Sequence, residues 1–153
     1  MAPKNPPANT PSNERLTAAI IVISDRAYSG ERPDAAGPAA AQLFESHNVD
    51  VRESVVIPEN KEAITNALTS AQEQGHDIIL TAGGTGLKPN NVTPEVTRPF
   101  IDTELPALAM HIFCEGVKNS PRAGLTRGLV GVTSRDETAA LIINAPGSVG
   151  GVT

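Results

Sequence analysis

A glycine-rich turn in the middle of the chain has the composition of an anion-binding site. An apolar stretch from 78 to 80 reads as a buried strand, and the turn follows it: Gly83, Gly84, Thr85 and Gly86. Glycine lets backbone N–H groups approach an anion without a Cβ in the way. In open α/β sheets, ligands bind beyond the carboxyl ends of strands. The spacing therefore predicts a phosphate-bearing ligand, and a tight turn that binds nothing is the alternative.

This turn matches neither of the two common nucleotide-binding motifs. A P-loop requires G-x-x-x-x-G-K-[ST], which is absent from the chain. A dinucleotide-binding motif that begins at Gly84 would need a third glycine where Pro89 stands. The turn therefore predicts a phosphate-bearing ligand but does not indicate which class of molecule that ligand belongs to.

A second glycine-rich turn, at 146–151, follows the last predicted strand and contains Ser148. In a parallel sheet, both turns would lie at the same carboxyl-terminal edge, so one ligand could bridge them. The alternative for this turn is a helix that begins with Ser148 as its N-cap.

Other polar groups near these turns have structural as well as chemical interpretations. The triplet Thr93-Pro94-Glu95 is a good helix start with Thr93 as N-cap, so Thr93 and Glu95 are structural in the favoured interpretation. Arg127 and its neighbours Arg122 and Arg135 lie in loops beside a late strand. Arginines there can clamp phosphate, although a solvated surface position is the commoner role.

The residues that usually bind zinc or act as nucleophiles are not clustered. His47, His76 and His111 are far apart, and no pair has zinc-ligand spacing. Cys114 lies on an apolar helical stripe and is predicted to be a core residue rather than a nucleophile. As the only cysteine, it excludes an intrachain disulfide, which fits a cytoplasmic location.

The order of apolar segments predicts how these residues are positioned. Strands are expected at 16–24, 49–57, 76–81, 129–133 and 139–144, and helices at 38–47, 58–74, 93–102 and 104–119. Strands that alternate with helices argue for a mostly parallel sheet with helices on both faces. The last two strands are expected to form a hairpin. The length of 153 residues fits one domain, over residues 16–153.

Composition narrows the class of partner. The net charge is −5 and aromatic residues make up 3% of the chain, so no nucleic-acid or membrane-surface partner is expected. Residues 1–15 hold four prolines and no apolar core, so they are predicted to be a disordered tail rather than a signal peptide.

After the last predicted strand, an alternation of strands and helices normally adds a further helix. Either that helix is missing from the sequence, or a neighbouring subunit covers the face.

The predicted helix at 104–119 is apolar on two sides. Its polar residues form only a narrow arc. Such a helix is buried on more than one side. A second subunit and simple burial within one domain are equally good explanations.

Five motifs occur in order along the chain: SDRAYSG (24–30), TAGGTG (81–86), VTPE (92–95), LTRG (125–128) and NAPGS (144–148). Together they resemble the Mog/MoaB family of molybdenum cofactor biosynthesis, which includes the gephyrin G domain. The resemblance covers nearly all of residues 18–152. It implies a three-layer α/β/α domain that assembles as a homotrimer.

The resemblance also implies a reaction and a site. Family enzymes adenylylate molybdopterin with Mg-ATP, releasing pyrophosphate, and a molybdenum-inserting enzyme is the expected downstream partner. Three groups of residues are implied. Molybdopterin or phosphate would contact Gly83, Gly84, Thr85, Gly86, Thr93, Thr126, Arg127, Pro146, Gly147 and Ser148. The nucleotide would contact Ser24, Asp25 and Asp34. The catalytic and metal-binding pair would be Glu59 and Asn91.

The last pair departs from the family pattern. Active members carry Arg-Asp before Val-Thr-Pro, where this chain has Asn90-Asn91, and they often carry Asp where Glu59 stands. Asn91 can offer a carbonyl oxygen to Mg²⁺ but brings no charge, and Mg²⁺ prefers carboxylate and phosphate oxygens. Two functions follow: an adenylyltransferase slowed by Asn91, or a paralogue that binds molybdopterin or nucleotide as a carrier or scaffold. An unrelated α/β nucleotide-binding module is a third, more distant alternative.

Overall fold

The computed structural model describes residues 14–153, in which one six-stranded sheet is flanked by helices. Of the predicted tail at 1–15, only Glu14 and Arg15 fall in this range, and both are exposed and outside regular secondary structure. The remainder of that prediction lies outside the described residues. The strands are β1 Thr17–Ile23, β2 Asp50–Ile57, β3 Ile78–Ala82, β4 Thr103–Glu104, β5 Val130–Val132 and β6 Leu141–Ala145.

Six α-helices lie in the described range, together with 3₁₀ turns at Arg98–Phe100 and Pro121–Leu125. The helices are α1 Asp25–Tyr28, α2 Ala36–Ser46, α3 Lys61–Glu73, α4 Thr93–Thr97, α5 Pro106–Asn119 and α6 Val149–Val152. Between residues 14 and 153, no helix is both long enough and apolar enough to cross a membrane.

The sheet is mostly parallel, in the order β2-β1-β3-β6-β5-β4. β1 pairs in parallel with β2 and β3, and β3 pairs in parallel with β6. β5 runs antiparallel to both β6 and β4, so the predicted hairpin between the last two strands is confirmed.

Each face of the sheet carries its own apolar core. Along β1, alternate side chains point to opposite faces, as the period of a strand requires. Ile21 packs in a cluster with Ile64 and Leu68 of α3, whereas Ile20 packs in a second cluster with Ala40 of α2. Helices therefore cover both faces, which confirms the predicted three-layer α/β/α fold.

The chain reverses its direction across the sheet at β1. It passes from β1 outward to β2 and then returns to β3 on the other side of β1. Ligands in open α/β sheets bind beyond the carboxyl ends of the strands at such a reversal. Ser24 follows β1 and Gly83 follows β3, so the predicted glycine-rich turn lies at this position.

One predicted helix and one predicted core residue differ from the structure. The helix expected at 93–102 ends at Thr97 and continues only as a 3₁₀ turn, because Pro99 has no N–H to extend an α-helix. The prediction that Cys114 lies in the core is wrong for this chain, where Cys114 is exposed on α5. None of the residues of α5 is buried against the rest of the described chain.

Candidate functional site

The two glycine-rich turns meet at the carboxyl edge of the sheet. The Gly83 N–H donates to the Ala145 carbonyl at 2.9 Å, which joins the end of β3 to the end of β6. A Cβ on Gly147 would lie 3.2 Å from the Gly83 Cα. Gly83 has a φ of +119°, and any Cβ there would overlap the Ile23 carbonyl oxygen. Glycine is thus required where three backbone segments approach one another.

Several backbone donors of these turns have no partner among residues 14–153. The amides of Gly84, Thr85, Gly86, Gly147 and Ser148 donate no hydrogen bond to any residue between 14 and 153. These N–H groups are available to an anion. Gly83 differs from the prediction in this respect, because Ala145 already accepts its N–H.

The buried side chain of Thr93 stabilises the glycine-rich turn that follows β3. Its side chain is fully buried, and its Oγ1 donates to the Gly83 carbonyl at 2.9 Å. Gly84, with a φ of +69°, has no room for a Cβ beside this hydroxyl. The prediction that Thr93 is the N-cap of its helix is wrong, since Val92 occupies the cap position and no side chain caps α4. The Thr93 hydroxyl stabilises the turn instead.

A junction of polar side chains forms beside the first turn, where β2 ends. The Asn91 amide Nδ2 donates to Glu59 Oε1 at 2.9 Å, and the Asn90 Nδ2 donates to Glu59 Oε2 at 3.3 Å. The Glu59 N–H in turn donates to Asp25 Oδ1 at 2.8 Å. The structure therefore brings Asp25, predicted as a nucleotide contact, together with Glu59 and Asn91, predicted as the catalytic pair.

The environment of Glu59 disfavours its charged form. Partial burial raises the pKa of this carboxyl above its usual value of 4.5, and the nearby Asp25 carboxylate raises it further. The hydrogen bond from Asn91 and the charge of Lys88 act in the opposite direction. Positively charged or hydrogen-donating neighbours therefore stabilise the ionised form of Glu59.

Arg127 binds the protein's own loop. Its Nε donates to the Gly86 carbonyl at 2.9 Å and its Nη2 to the Asn91 carbonyl at 2.8 Å. Its Nη1 pairs with the Glu95 carboxylate, and its backbone N–H donates to the Thr85 carbonyl at 2.9 Å. Each nitrogen of the guanidinium thus has a partner within the protein, and the ligand contact that the resemblance implied for Arg127 stays a prediction.

The hydroxyls and the remaining carboxylate of the predicted site have local roles. Ser24 Oγ accepts the Ala27 N–H at the start of α1, and Ser148 Oγ accepts the Gly151 N–H at the start of α6. Asp34 Oδ1 accepts the Gly37 N–H at the start of α2. In the described chain Asp34 forms no hydrogen bond with the residues around Glu59. Thr126 donates through its hydroxyl to Thr85 Oγ1 at 3.2 Å, beside the first turn.

A buried amide beneath the two turns was given no role from the sequence. Asn144 is 6% exposed, and its Nδ2 donates to the hydroxyls of Thr81 and Thr97 at 2.9 and 3.1 Å. Its Oδ1 accepts the Leu129 N–H at 3.1 Å. Asn144 thereby joins β3, β6, α4 and the segment that carries Arg127. A lone amide ending an apolar strand is the signal that could have identified it, because a buried amide needs several partners.

The donors around Glu59 do not fit a cation held by the protein. The Asn91 side-chain oxygen accepts the Lys88 N–H at 3.3 Å, so the amide turns its nitrogen, not its oxygen, toward Glu59. Both Glu59 oxygens already accept an amide N–H. In the described part of the chain, no group of three or more histidine, cysteine or acidic side chains could hold a metal ion. Asn91 therefore lacks the geometry of the metal ligand that the resemblance implied.

Comparison with known proteins assigns the chain to a family. Residues 19–153 match the family model described as "Probable molybdopterin binding domain". A Drosophila melanogaster protein named molybdenum cofactor synthesis protein cinnamon is 36% identical over 138 residues, which are 88% of this chain and 22% of that protein. The chain thus spans about a fifth of the length of this curated relative.

Two further relatives are closer to this chain in length. A Pyrococcus furiosus protein named molybdopterin adenylyltransferase is 29% identical, over 87% of this chain and 78% of that protein. The solved structure of MoaB from Thermus thermophilus has a TM-score of 0.80 and 36% identity, covering 90% of this chain and 84% of that one. With the family match over residues 19–153, these likenesses show that the chain belongs to the family of molybdopterin-binding domains of molybdenum cofactor biosynthesis.

Proposed function

We propose that this chain transfers an adenylyl group from Mg-ATP to molybdopterin, giving adenylyl-molybdopterin and pyrophosphate. The observation that carries the proposal is the contact between the two glycine-rich turns, where the Gly147 Cβ position lies 3.2 Å from the Gly83 Cα. Two clusters of unpartnered N–H groups side by side suit two phosphate-bearing substrates. The name of the Pyrococcus relative supports the same reaction.

The reaction makes modest chemical demands on the protein. A terminal phosphate oxygen of molybdopterin attacks the α-phosphorus of ATP. A new P–O bond forms there, and the bond from the α-phosphorus to the oxygen bridging the α- and β-phosphates breaks. Pyrophosphate leaves with that electron pair. A phosphate monoester is already ionised near neutral pH, so no general base is needed. Positioning of the two phosphates is then the main contribution of the protein.

The residues of the site divide this positioning between them. The amides of Gly84, Thr85 and Gly86 would bind one phosphate, and those of Gly147 and Ser148 would frame the other. Thr93 holds the first turn in place through the Gly83 carbonyl. Magnesium enters as part of Mg-ATP, where it offsets charge on the departing pyrophosphate.

A carrier or scaffold that binds molybdopterin without turnover is the second candidate. One observation favours it: both oxygens of Glu59 accept amide N–H groups, at 2.9 and 3.3 Å. A carboxylate occupied in this way contributes little to metal-assisted catalysis. A cytoplasmic location and a downstream molybdenum-inserting partner stay predictions for either candidate.

The test is adenylyl transfer from Mg-ATP to purified molybdopterin, with molybdopterin binding measured in parallel. We expect product from the unaltered protein and more product from Asn91→Asp. The new carboxylate would supply a negative charge that attracts the Mg²⁺ bound to ATP. Asn60→Asp is a matched control, because Asn60 caps α3 through its side-chain oxygen, which Asp also provides.

The outcomes separate the candidates. Binding without product from the unaltered protein, with product from Asn91→Asp, supports the carrier and overturns the enzyme. Neither product nor binding overturns both and revives an unrelated α/β nucleotide-binding module.

A further inference from the structure

The side chain of Asn91 connects its own loop to the end of β2. On one side Oδ1 accepts the Lys88 N–H at 3.3 Å, and on the other Nδ2 donates to Glu59 Oε1 at 2.9 Å. These two neighbours have opposite requirements, since one is a donor and the other accepts. Rotating the amide by half a turn would place Nδ2 against the Lys88 N–H, donor against donor. It would also place Oδ1 against Glu59 Oε1, acceptor against acceptor. The neighbours therefore determine a single orientation of the amide.

The backbone of Asn91 is equally committed. Its N–H donates to the Lys88 carbonyl at 2.9 Å, and its carbonyl accepts Arg127 Nη2 at 2.8 Å. The backbone of Gly86 closes the space beneath, since a Cβ there would lie 2.7 Å from Asn91 Oδ1. These backbone contacts fix where the side chain of residue 91 starts, and turning it away from Glu59 would break both of its own hydrogen bonds, to Lys88 and to Glu59.

A carboxylate at residue 91 would face a different situation. One oxygen would still accept the Lys88 N–H, and the other would stand where Nδ2 now lies, 2.9 Å from Glu59 Oε1. Two carboxylate oxygens at that separation repel unless a proton or a cation lies between them. Asn91 avoids this requirement because its N–H supplies the positive end of a dipole at the same place.

We propose that Asn91 is a positioning residue whose amide takes the place of a bound cation beside Glu59, so that the loop at 84–91 is ordered without a divalent ion. The amide of Asn90 reinforces this arrangement from the other Glu59 oxygen. An acidic residue at 91 would make the order of the loop depend on a divalent cation. Loop order is measurable without any substrate, so its test stands apart from the proposed transferase activity.

The test is hydrogen exchange at the backbone amides of Lys88 and Asn91 in the full chain, with Mg²⁺ or with a chelator. In the unaltered protein we expect the same exchange rates in both conditions. In Asn91→Asp with the chelator, we expect exchange at Lys88 to rise about ten- to a hundredfold, the effect of losing one hydrogen bond to a charged group. Added Mg²⁺ should reverse most of this increase.

A double variant separates the facing carboxylates from general damage to the loop. In Glu59→Gln combined with Asn91→Asp, the new amide of residue 59 can donate to the new carboxylate of residue 91. Slow exchange should then return without Mg²⁺. Asn60→Asp adds the same charge next to Glu59 at a side chain that needs only its oxygen, so it should leave exchange at Lys88 unchanged.

Each of four results would overturn the proposal. The first is an unaltered protein whose loop is protected only with Mg²⁺. The second is Asn91→Asp with unchanged exchange in the chelator. The third is rapid exchange that neither Mg²⁺ nor Glu59→Gln slows. The fourth is recovery with Glu59→Gln but not with Mg²⁺, because residue 91 would then have no use for a cation.

Discussion

Arg127 and Glu95 form an ion pair that links two separate parts of the site. Glu95 lies in the first turn of α4, and Arg127 follows the 3₁₀ turn at Pro121–Leu125. The same guanidinium holds the carbonyls of Gly86 and Asn91. The pair therefore ties the glycine-rich turn, the loop after it and α4 to one side chain.

Arg127→Lys should destabilise the protein although it keeps the charge. Lysine has a single nitrogen and cannot replace the planar set of donors that reaches Gly86, Asn91 and Glu95 together. Losing two hydrogen bonds of ordinary strength should lower the free energy of unfolding by about 1–3 kcal/mol. Urea denaturation curves of the two proteins, monitored by circular dichroism, measure this loss.

Arg122→Lys is the matched control for that variant. The Arg122 side chain is exposed and makes no hydrogen bond to a residue in the described range, so its replacement should change the free energy of unfolding by less than about 0.5 kcal/mol. Equal losses in the two variants would contradict the clamp role of Arg127.

Glu95→Gln should alter how stability depends on pH. The hydrogen bond from Arg127 holds the pKa of the Glu95 carboxyl below its usual value of 4.5. A lowered pKa stabilises the folded state above the usual value, and this contribution is lost as pH falls through the lowered pKa. The unaltered protein should thus exceed Glu95→Gln in stability near neutral pH and lose that advantage in acid.

The size of this effect is modest because the pair is largely exposed. About half of the Glu95 side chain is accessible, at 53%, so solvent screening limits the pair to about 1 kcal/mol or less. Thermal unfolding at several pH values, compared between the two proteins, is the measurement. A difference that grows as pH falls would contradict the assigned direction of the pKa.

Gly83→Ala should be severely destabilising. Its φ of +119° is unfavourable for alanine, and the new Cβ would overlap the Ile23 carbonyl. Gly30→Ala provides the comparison, since Gly30 has a φ of +80° with no atom within 4 Å of an added Cβ. We expect a loss of about 1–2 kcal/mol for Gly30→Ala, from backbone strain alone, and a clearly larger loss for Gly83→Ala. The yield of soluble protein and its melting temperature measure both, and equal losses would show that the overlap with Ile23 is relieved cheaply.

The strands and the place of the glycine-rich turn could be predicted from local patterns. The apolar run of β1 is buried on both faces, and alternating strands and helices are sufficient to indicate a parallel sheet. The turn after β3 was recognisable because glycines directly follow a strand. These features depend on residues close together in the sequence, so the chain order reveals them.

The contacts that define the site depend on pairs distant in the sequence. Arg127 reaches Gly86 across 41 residues, and Asn144 reaches Thr81 across 63. No local spacing distinguishes these side chains from solvated ones. The interpretation of Thr93 as a helix cap was wrong because its hydroxyl donates to the backbone carbonyl of Gly83 instead. Arg127 likewise donates to backbone carbonyls, which no local pattern indicated, and its contact with a ligand stays a prediction.

The last prediction is the homotrimer in solution that the resemblance implies, and the surface of helix α5 supports self-association. Apolar side chains on this helix are exposed in the single chain, with Leu108 at 38%, Met110 at 58% and Ile112 at 39%. A groove of about 410 Å³ lies between α5 and the segment before β5, beside Met110 and Phe113. Leu108 and Ile112 share one face of the helix, being four residues apart, and Met110 lies on another. Exposed apolar surface of this kind marks interaction sites. We expect light scattering to give three times the chain mass of 15.9 kDa.

Met110→Asp should shift that mass toward the single chain, because a buried, unpaired carboxylate in an interface costs far more than it would in water. His111→Asp is its matched control. His111 is adjacent on the helix and belongs to the polar arc, so the added charge there should leave the mass unchanged. If the unaltered protein has the mass of one chain at micromolar concentration, the apolar surface of α5 serves some purpose other than self-association. If both variants dissociate, the interface extends over the polar arc as well, and the exposed apolar side chains alone do not define it.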